Sequence, residues 1–128
     1  MATWQQLAAD NIRAAHLLFD QKEYRSSITR AYYAVYSAIT SELVNRQVIF
    51  ARGWNNPSHD QLVRLIQRAG FVKETRRGMG STILFLRRAR EDADYRPTVT
   101  VDRETNLKCL RMAAALLRDL ERANDRAK

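Results

Sequence analysis

Cysteine is almost absent from this chain: one residue, Cys109, stands among 128. A single thiol excludes an internal disulfide, and its neighbours Leu107, Leu110 and Met112 mark it as a small core or interface residue. Histidine is nearly as scarce. His16 and His59 lie far apart and form no His-Glu-x-x-His run, so with one cysteine they do not supply three metal ligands. No metal site and no cofactor are expected. Glycine and proline number four and two, and Gly78-Met79-Gly80 lacks the preceding strand and third glycine of a phosphate-binding loop. No apolar run approaches the roughly 20 residues of a membrane span. Met1-Ala2-Thr3-Trp4 lacks a basic segment followed by an apolar run, so no secretory signal is expected and a cytoplasmic protein is the simplest reading.

Lysine is scarce too. Four of the 22 basic residues are lysine and the other 18 are arginine, and the formal net charge is +8. The planar fork of arginine suits phosphate and carboxylate better than a point charge does. Residues 51–100 hold ten basic and five acidic residues, against five and four in residues 1–50. An anionic partner is therefore expected at the middle of the chain.

The few glycines and prolines cut the chain into helical pieces. Residues 3–20 place Trp4, Leu7, Ala8, Ala15 and Leu18 at helical spacing. Residues 23–47 carry Ile28, Tyr32, Val35, Tyr36, Ile39 and Leu43 on one stripe. The link Asp20-Gln21-Lys22 is short, which makes these two helices antiparallel neighbours. Residues 48–57 break the period and read as a loop. Ser58 followed by Gln61 fits a capping box and predicts a third helix from about Ser58 to Gly70. A fourth runs from Thr75 or Ser81 to Asp94, where Pro97 ends it. A fifth starts near Asp102, and its charged tail over residues 121–128 is expected to fray. Thr98-Val99-Thr100-Val101 is too short to build a sheet. The prediction is a single all-α domain over 1–128, an up-and-down bundle of four to five helices. The tyrosine-rich second helix, the alanine-rich last helix and Phe50 with Trp54 suggest spare apolar surface that a homodimer would bury.

Two segments carry more chemistry than packing needs: Arg30-Ala31-Tyr32-Tyr33-Ala34 and Arg90-Glu91-Asp92-Ala93-Asp94-Tyr95. Arg90 and Asp94 share a helix face beside Ile83, Leu86 and Ala93, and charge next to apolar surface needs a partner. Arg87 with Glu91 and Arg88 with Asp92 have the spacing of intrahelical ion pairs, each worth about 0.3–0.5 kcal/mol. Arg30 with Tyr33 fits either a solvated helix face or a phosphate or carboxylate contact flanked by a phenol, an arrangement that also suits single-stranded nucleic acid. His59, just after the predicted cap, would sit at a helix N-terminus where anions are favoured, or would simply plug the bundle end.

In this order and separation, the two segments resemble the HEPN (higher eukaryotes and prokaryotes nucleotide-binding) domain in its small prokaryotic form. The resemblance runs from about Trp4 to Leu120, on the R-A-Y-Y-A stretch at Arg30 and the R-x-x-A-D-Y stretch at Arg90. It implies a helical bundle that dimerises, with a cleft between protomers. It also implies RNA binding, often as a metal-independent ribonuclease toxin of a toxin–antitoxin or phage-defence system, restrained by a small nucleotidyltransferase. Ribonuclease members carry an arginine, four to six residues, then a histidine. Here Tyr95 takes the place of that histidine, and a phenol with a pKa of about 10 is a poor base at neutral pH. Asp94, Asp92 or His59 would have to serve. The resemblance assigns Arg90, Asp94 and Tyr95 to catalysis, and Arg30, Tyr33, His59 and Arg87 to binding RNA or a nucleotide. The alternative is a non-catalytic module that dimerises and binds a nucleotidyltransferase or a nucleotide, with Arg90–Asp94 as a structural pair.

Overall fold

The computed structural model describes the backbone of residues 2–127, and their side chains except those of Arg52 and residues 124–127. Five α-helices follow one another: α1 (Trp4–Asp20), α2 (Tyr24–Asn45), α3 (Leu62–Arg68), α4 (Lys73–Tyr95) and α5 (Arg103–Ala127), with a 3-10 turn at Ala51–Gly53. There is no strand among the described residues, and no helix there is long and apolar enough to cross a membrane. The fold is an all-α bundle. The expected fraying falls mainly on side chains outside the described ones; the α5 backbone runs on to Ala127.

Local chemistry explains the helix ends. Thr3 opens α1 with a reciprocal cap: the Gln6 amide donates to the Thr3 hydroxyl at 3.1 Å, and the Thr3 amide donates to the Gln6 side chain at 2.8 Å. Lys22 (φ 63°) and Gln47 (φ 63°) close α1 and α2 in the left-handed conformation. In both cases that residue's own amide and the one after it donate back to carbonyls of the last turn, which reverses the chain in few residues. Asp102 caps α5 by accepting from the Thr105 amide at 2.9 Å.

α2 is the centre of the bundle and packs against α1, α3, α4 and α5. It is buried nearly all round, so its polar residues need partners. Ser27 donates to the Ala15 carbonyl at 2.7 Å and accepts from Asn106 at 2.9 Å, joining α1, α2 and α5. Glu42 is held by Arg46 at 3.0 Å. The tyrosines expected to be spare surface are mostly core: Tyr32, Tyr36 and also Phe50 are buried, whereas Trp54 is exposed.

Two boundaries differ from the sequence expectation. The third helix starts at Leu62, not Ser58, because residues 59–61 form a separate turn closed by the Gln61 amide on the Ser58 carbonyl and hydroxyl, both at 3.2 Å. The fourth begins at Lys73 and runs through Gly78 and Gly80. Burial of Met79, Ile83 and Leu86 outweighs the helix penalty of the glycines.

Candidate functional site

Three tyrosines of α2 hold the turn that precedes α3. The Tyr36 hydroxyl donates to the Pro57 carbonyl and accepts from Asn56 at 2.9 Å. One turn earlier, the Tyr32 hydroxyl meets Nδ1 of His59. The imidazole lies 4.9 Å from the Tyr36 ring, 5.5 Å from Tyr32 and 6.1 Å from Tyr33. His59 is therefore not at a helix N-terminus, as its spacing suggested, but in a turn that is pinned by phenols.

This environment sets its protonation. Burial lowers the His59 pKa, and the positive charges of Arg90 and Arg87 lower it further against the opposing pull of Asp60 and Glu91. The ring is neutral at neutral pH. Burial also pushes the Tyr32 phenol well above its ordinary value, so it keeps its proton. If Nδ1 carried the ring proton, the buried Tyr32 O–H would lack an acceptor among the described residues. The satisfied arrangement has Tyr32 donating to Nδ1 and the ring proton on Nε2.

Arg90 comes to the same tyrosines from α4. Its guanidinium carbon lies 6.0 Å from the Tyr32 ring centre, 5.4 Å from Tyr33 and 5.2 Å from Tyr95. Nε donates to Asp94 at 2.9 Å and Nη2 donates to the Tyr95 hydroxyl at 3.1 Å. The side chain is 15% exposed. Its setting is aromatic rather than the aliphatic face expected from Ile83, Leu86 and Ala93, whose side chains turn into the core. Asp94 in turn accepts from the Thr29 hydroxyl, which ties α4 to α2.

Arg25 fixes the end of α4. Its guanidinium donates to the carbonyls of Asp92 and Ala93 at 3.0 Å, and to those of Arg96, Pro97 and Val99. These include carbonyls that the last helical turn leaves without partners. Arg87 bridges the other way, to Asp60 at 2.8 Å and Glu91 at 3.2 Å. Asp60 follows His59, so this ion pair anchors the histidine turn to α4. The expected Arg88–Asp92 pair is replaced: Asp92 binds Arg96 at 2.7 Å.

Arg90, Asp94, Tyr95, Tyr33 and His59 thus converge on the face of α2. Arg30 stands further out, bonded to Asn11 at 3.1 Å. It lines a shallow groove of about 510 Å³ with Leu18, Ser26, Thr29, Tyr33 and Asp94. Arg90 does not line this groove, although its partner Asp94 does, and Tyr95 is 67% exposed. Tyr32, Arg25, Thr29 and Asp60 were missed in the sequence. Tyr32 had the spacing of a packing residue, and the other three act through partners distant in the chain. Among the described residues no group of three His, Cys, Asp or Glu could hold a metal ion. Cys109 is buried, and burial pushes its thiol up to about 11, which makes it unreactive.

A family model of the HEPN domain matches residues 1–123. The chain belongs to the HEPN-domain family. HEPN domains are known for binding nucleotides and RNA and for ribonuclease activity. No curated protein matches the chain. In this HEPN domain an arginine of α4 and an imidazole from the turn before α3 lie against the same two tyrosine rings.

Proposed function

We propose that this HEPN protein is a cytoplasmic RNA-binding toxin that cleaves RNA without a metal ion, in a toxin–antitoxin or phage-defence pair, with a small nucleotidyltransferase as its antitoxin. The observation that carries this reading is geometric: the His59 imidazole sits among the rings of Tyr32, Tyr33 and Tyr36, Arg90 lies against two of the same rings, and Arg87 is tied to the adjacent Asp60. The two arginines attract a phosphate, and Tyr33 and the exposed Tyr95 offer faces for bases. Asp94 and Tyr95 orient the Arg90 guanidinium. In cleavage the ribose 2′-oxygen attacks the adjacent phosphorus, the bond to the 5′-oxygen breaks and that oxygen takes a proton from water, and a 2′,3′-cyclic phosphate and a 5′-hydroxyl result. His59 takes the 2′-hydroxyl proton at Nε2 once the ring proton stands on Nδ1, a tautomer that the Tyr32 hydroxyl accommodates by turning from donor to acceptor. Arg90 and Arg87 stabilise the charge on the phosphorane. Leu17, Leu84 and Tyr95 expose large apolar surfaces, which supports a homodimer.

A second reading has its own support. The chain Arg90–Asp94–Thr29 stitches α4 to α2, as in a non-catalytic module whose arginines bind an acidic partner or a nucleotide. The deciding experiment is cleavage of single-stranded RNA by Arg90→Ala and His59→Ala, read alongside thermal stability. Loss of cleavage with a folded protein supports the ribonuclease. Cleavage at the wild-type rate in both variants removes these residues from the site, and no RNA binding by the wild type favours the module.

A further inference from the structure

Residues 61–90 carry eight basic residues and one acidic residue, Glu74. Arg87 and Arg90 are committed to Asp60, Glu91 and Asp94. The remaining six are Arg64 and Arg68 on α3, and Lys73, Arg76, Arg77 and Arg88 on α4. All but the half-buried Arg76 are exposed, and none has an ion-pair partner among the described residues. Like charges gathered with few carboxylates destabilise a folded surface through self-repulsion, which an anion from outside would relieve.

The charges are also ordered. Lys73, Arg76, Gly80, Leu84 and Arg87 recur at three- and four-residue steps and so run along one side of α4, with Arg77 and Arg88 beside them. The α3 helix lies against this part of α4, and the Asp60–Arg87 bridge marks the end next to His59. From Arg77 to Arg87 the helix rises about 15 Å, a span of a few nucleotides. Gly80 leaves bare backbone between the two groups of cations. A Cβ built there meets nothing within 4 Å, so packing inside the chain does not require glycine at a site where it weakens the helix. Close approach of another polymer's backbone does require it.

From this charge order we infer that the stripe on α3 and the first half of α4 is a track for the phosphate backbone of single-stranded RNA, leading several nucleotides away from the Arg90–His59 cluster. The inference rests on the RNA-binding reading above and makes it more specific: the ligand is a strand, not a mononucleotide.

The test is fluorescence anisotropy on the full chain with single-stranded RNA of about four and about 16 nucleotides, across a salt series. The variants are the triple Arg68→Gln/Arg76→Gln/Arg77→Gln and the single Gly80→Ala. The triple variant is expected to lose about tenfold in affinity for the long RNA, with a salt slope shallower by about 2, at roughly 0.7 per lost contact. Affinity for the short RNA should be unchanged. Gly80→Ala should raise the melting temperature yet weaken the long RNA several-fold, a combination that misfolding does not produce. Wild-type binding of the long RNA by the triple variant overturns the track. If the wild type binds short RNA in an Arg90-dependent way but long RNA no tighter, the track fails and the functional reading survives. If it binds neither, both fail. Tighter binding of polyglutamate than of long RNA, abolished in the triple variant, would give the stripe to an acidic protein and overturn the proposal.

Discussion

The Tyr32 hydroxyl meets Nδ1 of His59 in the interior face of α2, and this contact decides which nitrogen of the imidazole faces outward with its proton. Tyr32 is fully buried and His59 half-buried, so the phenol anchors the ring from the core side. The same phenol ring lies within 6.0 Å of the Arg90 guanidinium. One side chain therefore sets the tautomer of the histidine and supports the arginine.

Tyr32→Phe keeps the ring and removes the hydroxyl. A net hydrogen bond is lost, at about 1 kcal/mol, so the protein should stay folded with a slightly lower melting temperature. The expected result is RNA cleavage at least as fast as in the wild type with little change in RNA affinity, because no buried Tyr32 O–H is left without an acceptor when the ring proton moves to Nδ1. Imidazole NMR of the variant should show mixed tautomers where the wild type shows one.

The His59 pKa lies below its ordinary value of 6.5 because burial, Arg90 and Arg87 disfavour the imidazolium. Between 6.5 and that lowered value the unfolded chain binds more protons than the folded one. The His59 contribution to stability is therefore neutral above about pH 6.5 and becomes increasingly unfavourable as the pH falls towards the folded value. His59→Gln should flatten this part of a pH–stability curve measured by urea denaturation. A curve unchanged by the substitution would remove His59 as its source.

Arg25→Ala removes the guanidinium from the carbonyls at the end of α4. The expected cost is about 2 kcal/mol, on the order of one or two hydrogen bonds to a charged group. Because α4 then frays at Asp94 and Tyr95, amide exchange should speed up at residues 92–99 before the rest of the helix. Arg25→Lys should rescue little, since an ammonium does not reproduce the planar fork.

Gly78 has nothing within 4 Å of a built Cβ and is exposed on α4. Gly78→Ala should stabilise the protein by up to about 1 kcal/mol in a thermal melt. A loss of stability there would mean that α4 needs freedom at this turn.

Arg90→Ala leaves Asp94 with Thr29 and with partial solvent access, since its side chain is 26% exposed. The cost should stay below the about 3–5 kcal/mol of breaking a sealed ion pair. A loss inside that range would favour the structural role of Arg90 over the functional one.

Most of the helical bundle was legible in the chain. The 3.6-residue spacing of Ile28, Val35, Ile39 and Leu43 identifies α2 without any tertiary information, because one face must repeat to be buried. Pro97 marks the end of α4 for an equally local reason, the missing amide. Arg87–Glu91 and Arg90–Asp94 were also legible, being one turn apart. The start of α3 was not, because Ser58 and Gln61 can close either a helix or a free turn, and Tyr36 and Asn56, which hold the chain just before it, lie outside the local pattern.

The sequence alone determined an arginine-rich all-helical chain with its positive excess in the middle, and it placed Arg90, Asp94 and Tyr95 on adjoining turns. Those properties follow from composition and from the helix period, which are local. Only the tertiary structure brought His59 onto Tyr32, set Arg90 against the same rings, and bound Arg25 to the end of α4. These contacts join residues 27 to 74 positions apart, and no local spacing encodes which side chains meet once α2 is wrapped on every side by its neighbours.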